Sequence, residues 1–235
     1  MEVTTPLDWE DLVLDPLVMA QVEMITRWAK HANTLMEAWK LGRWFKPGYR
    51  CLFFGPPGTG KTLTALLIGK AIGVTVKRID LARELGPQFD EAARQGWIVL
   101  VEIDLLFAGN DRAANQQVAY LLQRLEEYPG LAILTTNLRD WMDEAFRRRF
   151  ETVIHFTMPD AAERLRLWQG CFGDFRLAAD VDLAKIAEEY ELSGGSIVNV
   201  LRHAALMAAE SEFPGIRAAD LQEGIRLELA KGDPA

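Results

Sequence analysis

Apolar positions recur along this chain in two rhythms. Between residues 17 and 39, Val18, Val22, Ile25, Trp28, Ala29, Ala32, Leu35, Met36 and Trp39 return every three or four positions, the spacing of one helix face. Asp15-Pro16 is a helix-start signal, and residues 1–15 read as an extended lead-in. Gly42, Pro47 and Gly48 break the rhythm. Short runs follow at 49–54, 97–101 and 131–136, apolar through most of their length, with strand-like stretches at 74–79 and 152–156. Runs of this kind suit strands buried on both faces in the middle of a parallel sheet. Helical stretches lie between them, at 63–72, 83–94, 113–127 and 141–147. Strand alternating with helix predicts an α/β fold with a parallel sheet and flanking helices.

After Met158-Pro159 the strand rhythm stops. Four helical stretches remain, at 161–172, 183–191, 197–210 and 219–229, punctuated by Ser193-Gly194-Gly195 and Pro214-Gly215. The expected organisation is an N-terminal helix plus α/β domain over residues 1–157 and a small all-α domain over 158–235. No internal repeat or low-complexity tract interrupts it.

Composition narrows the function classes. The 235 residues are 49% hydrophobic and 26% charged, the balance of a soluble globular protein. No apolar run reaches the length of a membrane span, and the start, with Glu2, Asp8, Glu10 and Asp11, is unlike a signal peptide. A cytoplasmic protein without membrane insertion is expected. A net charge of −8 argues against a nucleic-acid binder. Cys51 and Cys171 fit no metal spacing and read as free thiols in a reducing compartment, and His31, His155 and His203 form no ligand motif.

One stretch carries chemistry by itself. Gly55-Pro56-Pro57-Gly58-Thr59-Gly60-Lys61-Thr62 joins an expected strand to an expected helix that begins with Leu63, and it spells the phosphate-binding P-loop, G-x-x-x-x-G-K-T. Its glycines let successive N–H groups curl around an anion, and the helix adds the positive end of its dipole. Lys61 can reach the β- and γ-phosphates, and the Thr62 hydroxyl can ligate Mg²⁺. Ligands of such sheets sit at the carboxyl ends of the strands. There the sequence offers Glu102 and Asp104 after one strand and Asn137 after the next. A carboxylate in that place can activate or orient a water, or hold Mg²⁺ through its waters, and an amide can help position the water. Arg147-Arg148-Arg149 either complements a helix C-terminus or reaches a neighbouring subunit's γ-phosphate.

With these residues in view the chain resembles an AAA+ ATPase over nearly its whole length. Gly55 to Thr62 matches the Walker A motif, Leu134-Thr135-Thr136-Asn137 the sensor 1 strand, and Asp143-Glu144-Ala145-Phe146 with Arg148-Arg149-Phe150 the segment bearing arginine fingers. The helical tail corresponds to the lid. Residues 53–62, 118–126 and 150–159 are similar to bacterial stand-alone AAA ATPases, some encoded beside contractile injection systems. The resemblance implies a five-stranded sheet, ATP bound with Mg²⁺ between sheet domain and lid, and a homo-oligomeric, usually hexameric ring acting on a protein partner. It implies nucleotide contacts from Gly55, Pro56, Pro57, Gly58, Thr59, Gly60, Lys61, Thr62 and Leu63, with Glu102, Asn137, Arg148 and Arg149 as catalytic residues. Ser193-Gly194-Gly195-Ser196 opens the third lid helix without an arginine, as in members that rely on fingers in trans.

Two departures stand out. Aligning Glu102 and Asp104 to the family's last two Walker B acids puts Val101 where the Mg²⁺-orienting aspartate belongs, so the strand is expected to present an isopropyl group to the nucleotide. Between Leu81 and Trp97 there is no aromatic–aliphatic–glycine step of the kind that grips a threaded polypeptide. The reading is therefore an ATP-binding ring subunit that hydrolyses ATP slowly to remodel or assemble a protein partner. Its rivals are an ATP-dependent structural or switch module with little turnover and, against the acidic balance, a helicase loader or replication initiator on DNA.

Overall fold

The structure, a computed structural model, describes residues 1–46, 48–104, 112–138, 144–173, 177–211 and 215–231. The chain divides into two compact units. One comprises Met1–Asp8, Pro16–Pro56 and Lys61–Phe156, the other Trp9–Asp15, Pro57–Gly60 and Thr157–Ala235.

The first unit is built on a sheet of six strands: β1 (Glu2–Val3), β2 (Tyr49–Phe54), β3 (Val76–Arg78), β4 (Ile98–Glu102), β5 (Leu131–Thr136) and β6 (Thr152–His155). Their order is β1-β3-β4-β5-β2-β6. β2 to β6 are parallel neighbours, and this is the expected five-stranded sheet. The sixth strand is a correction: β1 pairs antiparallel with β3, Glu2 opposite Lys77 and Val3 opposite Val76. The Arg78 N–H donates to the Met1 carbonyl, and the Met1 ammonium to the Arg78 carbonyl, both at 2.9 Å. Part of the expected lead-in thus caps the sheet edge and occupies its unpaired groups.

Side chains alternate across the sheet and sort the apolar runs onto two faces. Leu52, Phe54, Val99, Val101 and Leu134 join one core with Phe89 and Ala92 of α3 (Leu85–Gln95) and Leu121, Leu122 and Leu125 of α4 (Arg112–Glu127). α2 (Lys61–Ile72) packs on β3 and β5, and α1 (Pro16–Asn33) lies along α2 and β6. Ala65, Leu67 and Ile68 of α2 have no exposed surface. The short α5 (Glu144–Arg147) precedes β6, and residues 141–143 of the expected helix lie outside the described residues, as does Pro47.

The first helix stops short of its apolar rhythm. α1 ends at Asn33, a wider π turn covers Thr34–Ala38, and Lys40 takes a left-handed conformation at φ 58°. Trp28 faces inward and packs on Tyr49, with ring centroids 4.5 Å apart. Trp39, counted with the helix face, lies beyond this break and is 66% exposed.

The second unit is helical: α6 (Ala161–Phe172), α7 (Leu183–Glu189), α8 (Gly194–Glu210) and α9 (Ala218–Leu229). Trp168, Phe172, Ile197, Val200, Leu221 and Ile225 form its core. Polar side chains close the helix starts: Asp160 and Glu163 make a reciprocal capping box on α6, and the Asp182 and Ser193 side chains cap α7 and α8. Ser193 moves the start of α8 three residues ahead of the expected Ile197. Arg164 is buried and donates to the Pro159 and Ala187 carbonyls. Pro214, one of the expected punctuation points, lies outside the described residues.

Candidate functional site

The P-loop is the turn between β2 and α2, and its backbone explains its glycines. Gly55 has φ 141°, and a Cβ there would lie 1.9 Å from the Phe156 carbonyl oxygen. Gly58 has φ 75°, and a Cβ there would meet Ser193 Oγ at 2.3 Å. In both places a left-handed backbone coincides with a contact that leaves no room for a side chain. Within the second unit, the Gly195 N–H donates to the Gly58 carbonyl at 3.0 Å, so the Ser193-Gly194-Gly195 turn is fastened to the loop tip. Pro56 and Pro57 stand between these glycines, Thr59 and Gly60 complete the turn, and Leu63 sits in the first turn of α2.

Lys61 is folded back into the loop. Its Nζ donates to the Gly55 carbonyl at 2.8 Å and the Pro56 carbonyl at 2.7 Å, and only 8% of the residue is exposed. Burial pulls its pKa down to about 8, and the negative charge of Asp104 opposes that fall only in part. A buried ammonium compensated by two carbonyl dipoles, beside Gly55, which admits no side chain, fits a phosphate chain, whose oxygens would bring negative charge into contact with it.

Thr62 and Glu102 meet directly: Thr62 Oγ1 donates to Glu102 Oε1 at 3.0 Å. With its proton directed at a carboxylate, the hydroxyl keeps lone pairs for a cation, so this pair fits Mg²⁺. Arg78 Nη1 lies 3.6 Å from the other oxygen, Glu102 Oε2. Asn137 is held by Asp104, whose Oδ1 accepts from the Asn137 backbone N–H at 2.8 Å and whose Oδ2 accepts from Asn137 Nδ2 at 2.6 Å. Thr136 Oγ1 donates to the same carboxylate at 2.6 Å.

The expectation for Val101 is corrected here. Its side chain has no exposed surface and belongs to the core under α3 and α4. Successive residues of a strand point to opposite faces, so Glu102, not Val101, is turned toward Thr62. Motif spacing places Val101 beside the nucleotide; the pleat takes it away.

Arg148 and Arg149 lie elsewhere. Arg148 pairs with Glu144 one turn back and Arg149 with Glu126, and both are largely exposed. Among the described residues neither touches Lys61, Thr62, Glu102 or Asn137. Asp143 of the matching segment lies outside the described residues. Sequence reasoning missed Arg78, the partners of Asp104, and the contact of Ser193 with Gly58. All three are tertiary contacts between residues at least 24 positions apart.

Comparison with known proteins agrees with this geometry. Residues 51–158 match the family model described as ATPase family associated with various cellular activities (AAA). The chain is 34% identical over 211 residues to the ATP-dependent zinc metalloprotease FtsH 3 of Sphaerobacter thermophilus, covering 76% of this chain and 42% of that protein. It is 28% identical over 214 residues to the katanin p60 ATPase-containing subunit A1 of Strongylocentrotus purpuratus, covering 78% of this chain and 42% of that protein. The chain therefore spans less than half the length of these relatives. The residues of the family match include most of β2, the P-loop and the acid-bearing end of β4, and on that footing, with these relatives, the chain belongs to the AAA family of P-loop ATPases.

Proposed function

We propose that this chain is a Mg²⁺-dependent ATPase that works as a subunit of a homo-oligomeric ring, hexameric by family resemblance, and remodels or assembles a protein partner. The observation that carries the reading is the run of contacts from the glycine cradle through buried Lys61 to the Thr62–Glu102 pair. In it, residues Gly55 to Leu63 bind the phosphates, with Lys61 Nζ exchanging its two carbonyl partners for phosphate oxygens. Among the described residues no three His, Cys, Asp or Glu side chains are grouped to hold a metal, so Mg²⁺ would rest on Thr62, phosphate and water. When bound, it supplies positive charge against the charge developing on the phosphates.

Glu102 takes the proton of the attacking water, with Oε2 as the oxygen not engaged by Thr62. Asn137, immobilised by Asp104, positions that water through its amide. Arg148 and Arg149, in the exposed turn that follows α5, reach a neighbour's phosphate in the assembled ring. Because Val101 lies in the core, Glu102 alone serves both Thr62 and the water, where the family pattern assigns two acids. Slow turnover follows.

The same observation favours a second reading, in which ATP serves as a structural or switching ligand with little hydrolysis. Residues 79–84, between β3 and α3, carry no aromatic, which supports a partner that is remodelled or assembled and not threaded. No helix among the described residues is long and apolar enough to cross a membrane. Phosphate release measured against protein concentration tests the proposal. Specific activity that requires Mg²⁺ and rises with concentration supports it, and a concentration-independent monomeric ATPase contradicts the ring. Nucleotide binding without phosphate release at any concentration selects the switch reading.

A further inference from the structure

Between α1 and β2 the chain exposes three large aromatic rings within seven residues. Trp39 is 66% exposed, Trp44 72% and Phe45 52%. Lys40, Arg43 and Lys46 are interspersed among them, all exposed, and among the described residues none of these cations pairs with a carboxylate. The display is built, not frayed. The Trp39 N–H donates to the Thr34 carbonyl at 3.0 Å and the Trp44 N–H to the Leu41 carbonyl at 2.8 Å. The Arg43 guanidinium lies 5.2 Å from the centre of the Trp44 ring. Lys40 is the only non-glycine residue at positive φ among those described, a conformation that a lysine adopts only where its surroundings hold it.

Exposed tryptophan, phenylalanine and arginine around a turn are the composition of an interface centre. Charge identifies what fits it. The segment carries three cations and no acid in a chain of net charge −8, so the rest of this protein's own surface is more acidic still. Two such patches facing each other would set cations against cations, so self-pairing is disfavoured. Contact with a different, acidic surface of a second copy is head-to-tail, and repetition of a head-to-tail contact closes a ring when the rotation allows. The end of α7 offers that surface: Glu188, Glu189 and Glu191 are exposed, Asp180 and Asp182 precede them, and Lys185 is the one cation between 180 and 191. Three buried rings would cover about 450–750 Å², approaching the roughly 800 Å² per partner of a specific interface. An anionic bilayer or nucleic acid offers a complementary charge too, but only a contact between copies is already required by the ring reading above.

We propose that residues 39–46 dock onto the acidic end of α7 in a second copy of this chain. This rests on the ring reading above and names a surface for it. Light scattering after size-exclusion chromatography in Mg-ATP tests it with two charge-reversed chains, Lys40→Glu/Arg43→Glu/Lys46→Glu and Glu188→Lys/Glu189→Lys/Glu191→Lys. Every substituted side chain is exposed, so both should melt as wild type does. Each alone is expected to stay monomeric where wild type assembles. An equimolar mixture should assemble, since each reversed surface then meets an opposite charge. Trp44→Ala should raise the concentration for half-assembly about tenfold. Assembly of either reversed chain as readily as wild type, or a mixture that stays monomeric, overturns the docking. Retained assembly of the patch-reversed chain, with loss of wild-type sedimentation on phosphatidylserine vesicles, assigns the patch to membranes and also overturns it. Wild type that never assembles fails the ring reading itself, and this inference with it.

Discussion

Raising the pH should weaken nucleotide binding through one side chain. Lys61 loses its proton at about pH 8 in the native protein, against an ordinary value of 10.5. A phosphate beside its ammonium favours the charged form, so binding raises that pKa and takes up protons. At pH about 9.5 only about 3% of free sites would still carry the charge, and affinity should drop about thirtyfold, or about 2 kcal/mol, relative to neutral pH. Calorimetric titration with ADP across this range reads the loss directly. At pH about 8, titrations in buffers of different ionisation enthalpy should report uptake of about half a proton per site. Stability should move the other way. The unfolded chain holds this proton more tightly, so the Lys61 contribution rises as pH climbs between about 8 and 10.5. Lys61→Ala should bind weakly and with no pH step in this range. An affinity constant to within about twofold up to pH 9.5 would refute the buried-ammonium account.

Three further outcomes follow from the geometry. Val101→Asp puts a carboxylate into a site with no exposed surface, so it should cost several kcal/mol and lower the melting temperature without raising turnover; faster turnover with an unchanged melting temperature would return Val101 to the nucleotide. Asp104→Ala removes all three hydrogen bonds that fix Thr136 and Asn137, and should cut phosphate release at least tenfold while ADP binding persists; unchanged turnover would remove Asn137 from the mechanism. Arg148→Ala and Arg149→Ala break only exposed ion pairs, so stability should change by less than about 1 kcal/mol, while turnover falls and nucleotide binding stays; full activity in both would exclude them as fingers.

The parts of this molecule that were legible in its sequence are those written in consecutive residues. The P-loop occupies eight adjacent positions and its conformation is set by its own glycines, so Gly55 and Gly58 could be assigned before any contact was known. Strands buried on both faces announce themselves by unbroken apolar runs, as 98–101 does. A two-residue strand such as Glu2–Val3 has no room for any rhythm, and its pairing depends on β3 being there to receive it. Trp39 shows the reverse error: its spacing fits the helix face, but the backbone leaves the helix before reaching it. Val101 was misplaced because aligning acids by count says nothing about which side of a strand each occupies. The clasp of Asp104 on Asn137 joins residues 33 apart, and the nearness of Arg78 to Glu102 crosses two strands. Neither can be read until the sheet order is known.

Glu102 is where the account is most exposed, because one carboxylate is assigned both to Thr62 and to the attacking water. The direct measurement is single-turnover hydrolysis of radiolabelled ATP by Glu102→Gln beside wild type, with retained ATP counted on the same samples. Glutamine preserves the hydrogen bond from Thr62 but cannot take a proton, so the account predicts ATP that stays bound and is not cleaved. Cleavage by Glu102→Gln at the wild-type rate would contradict it.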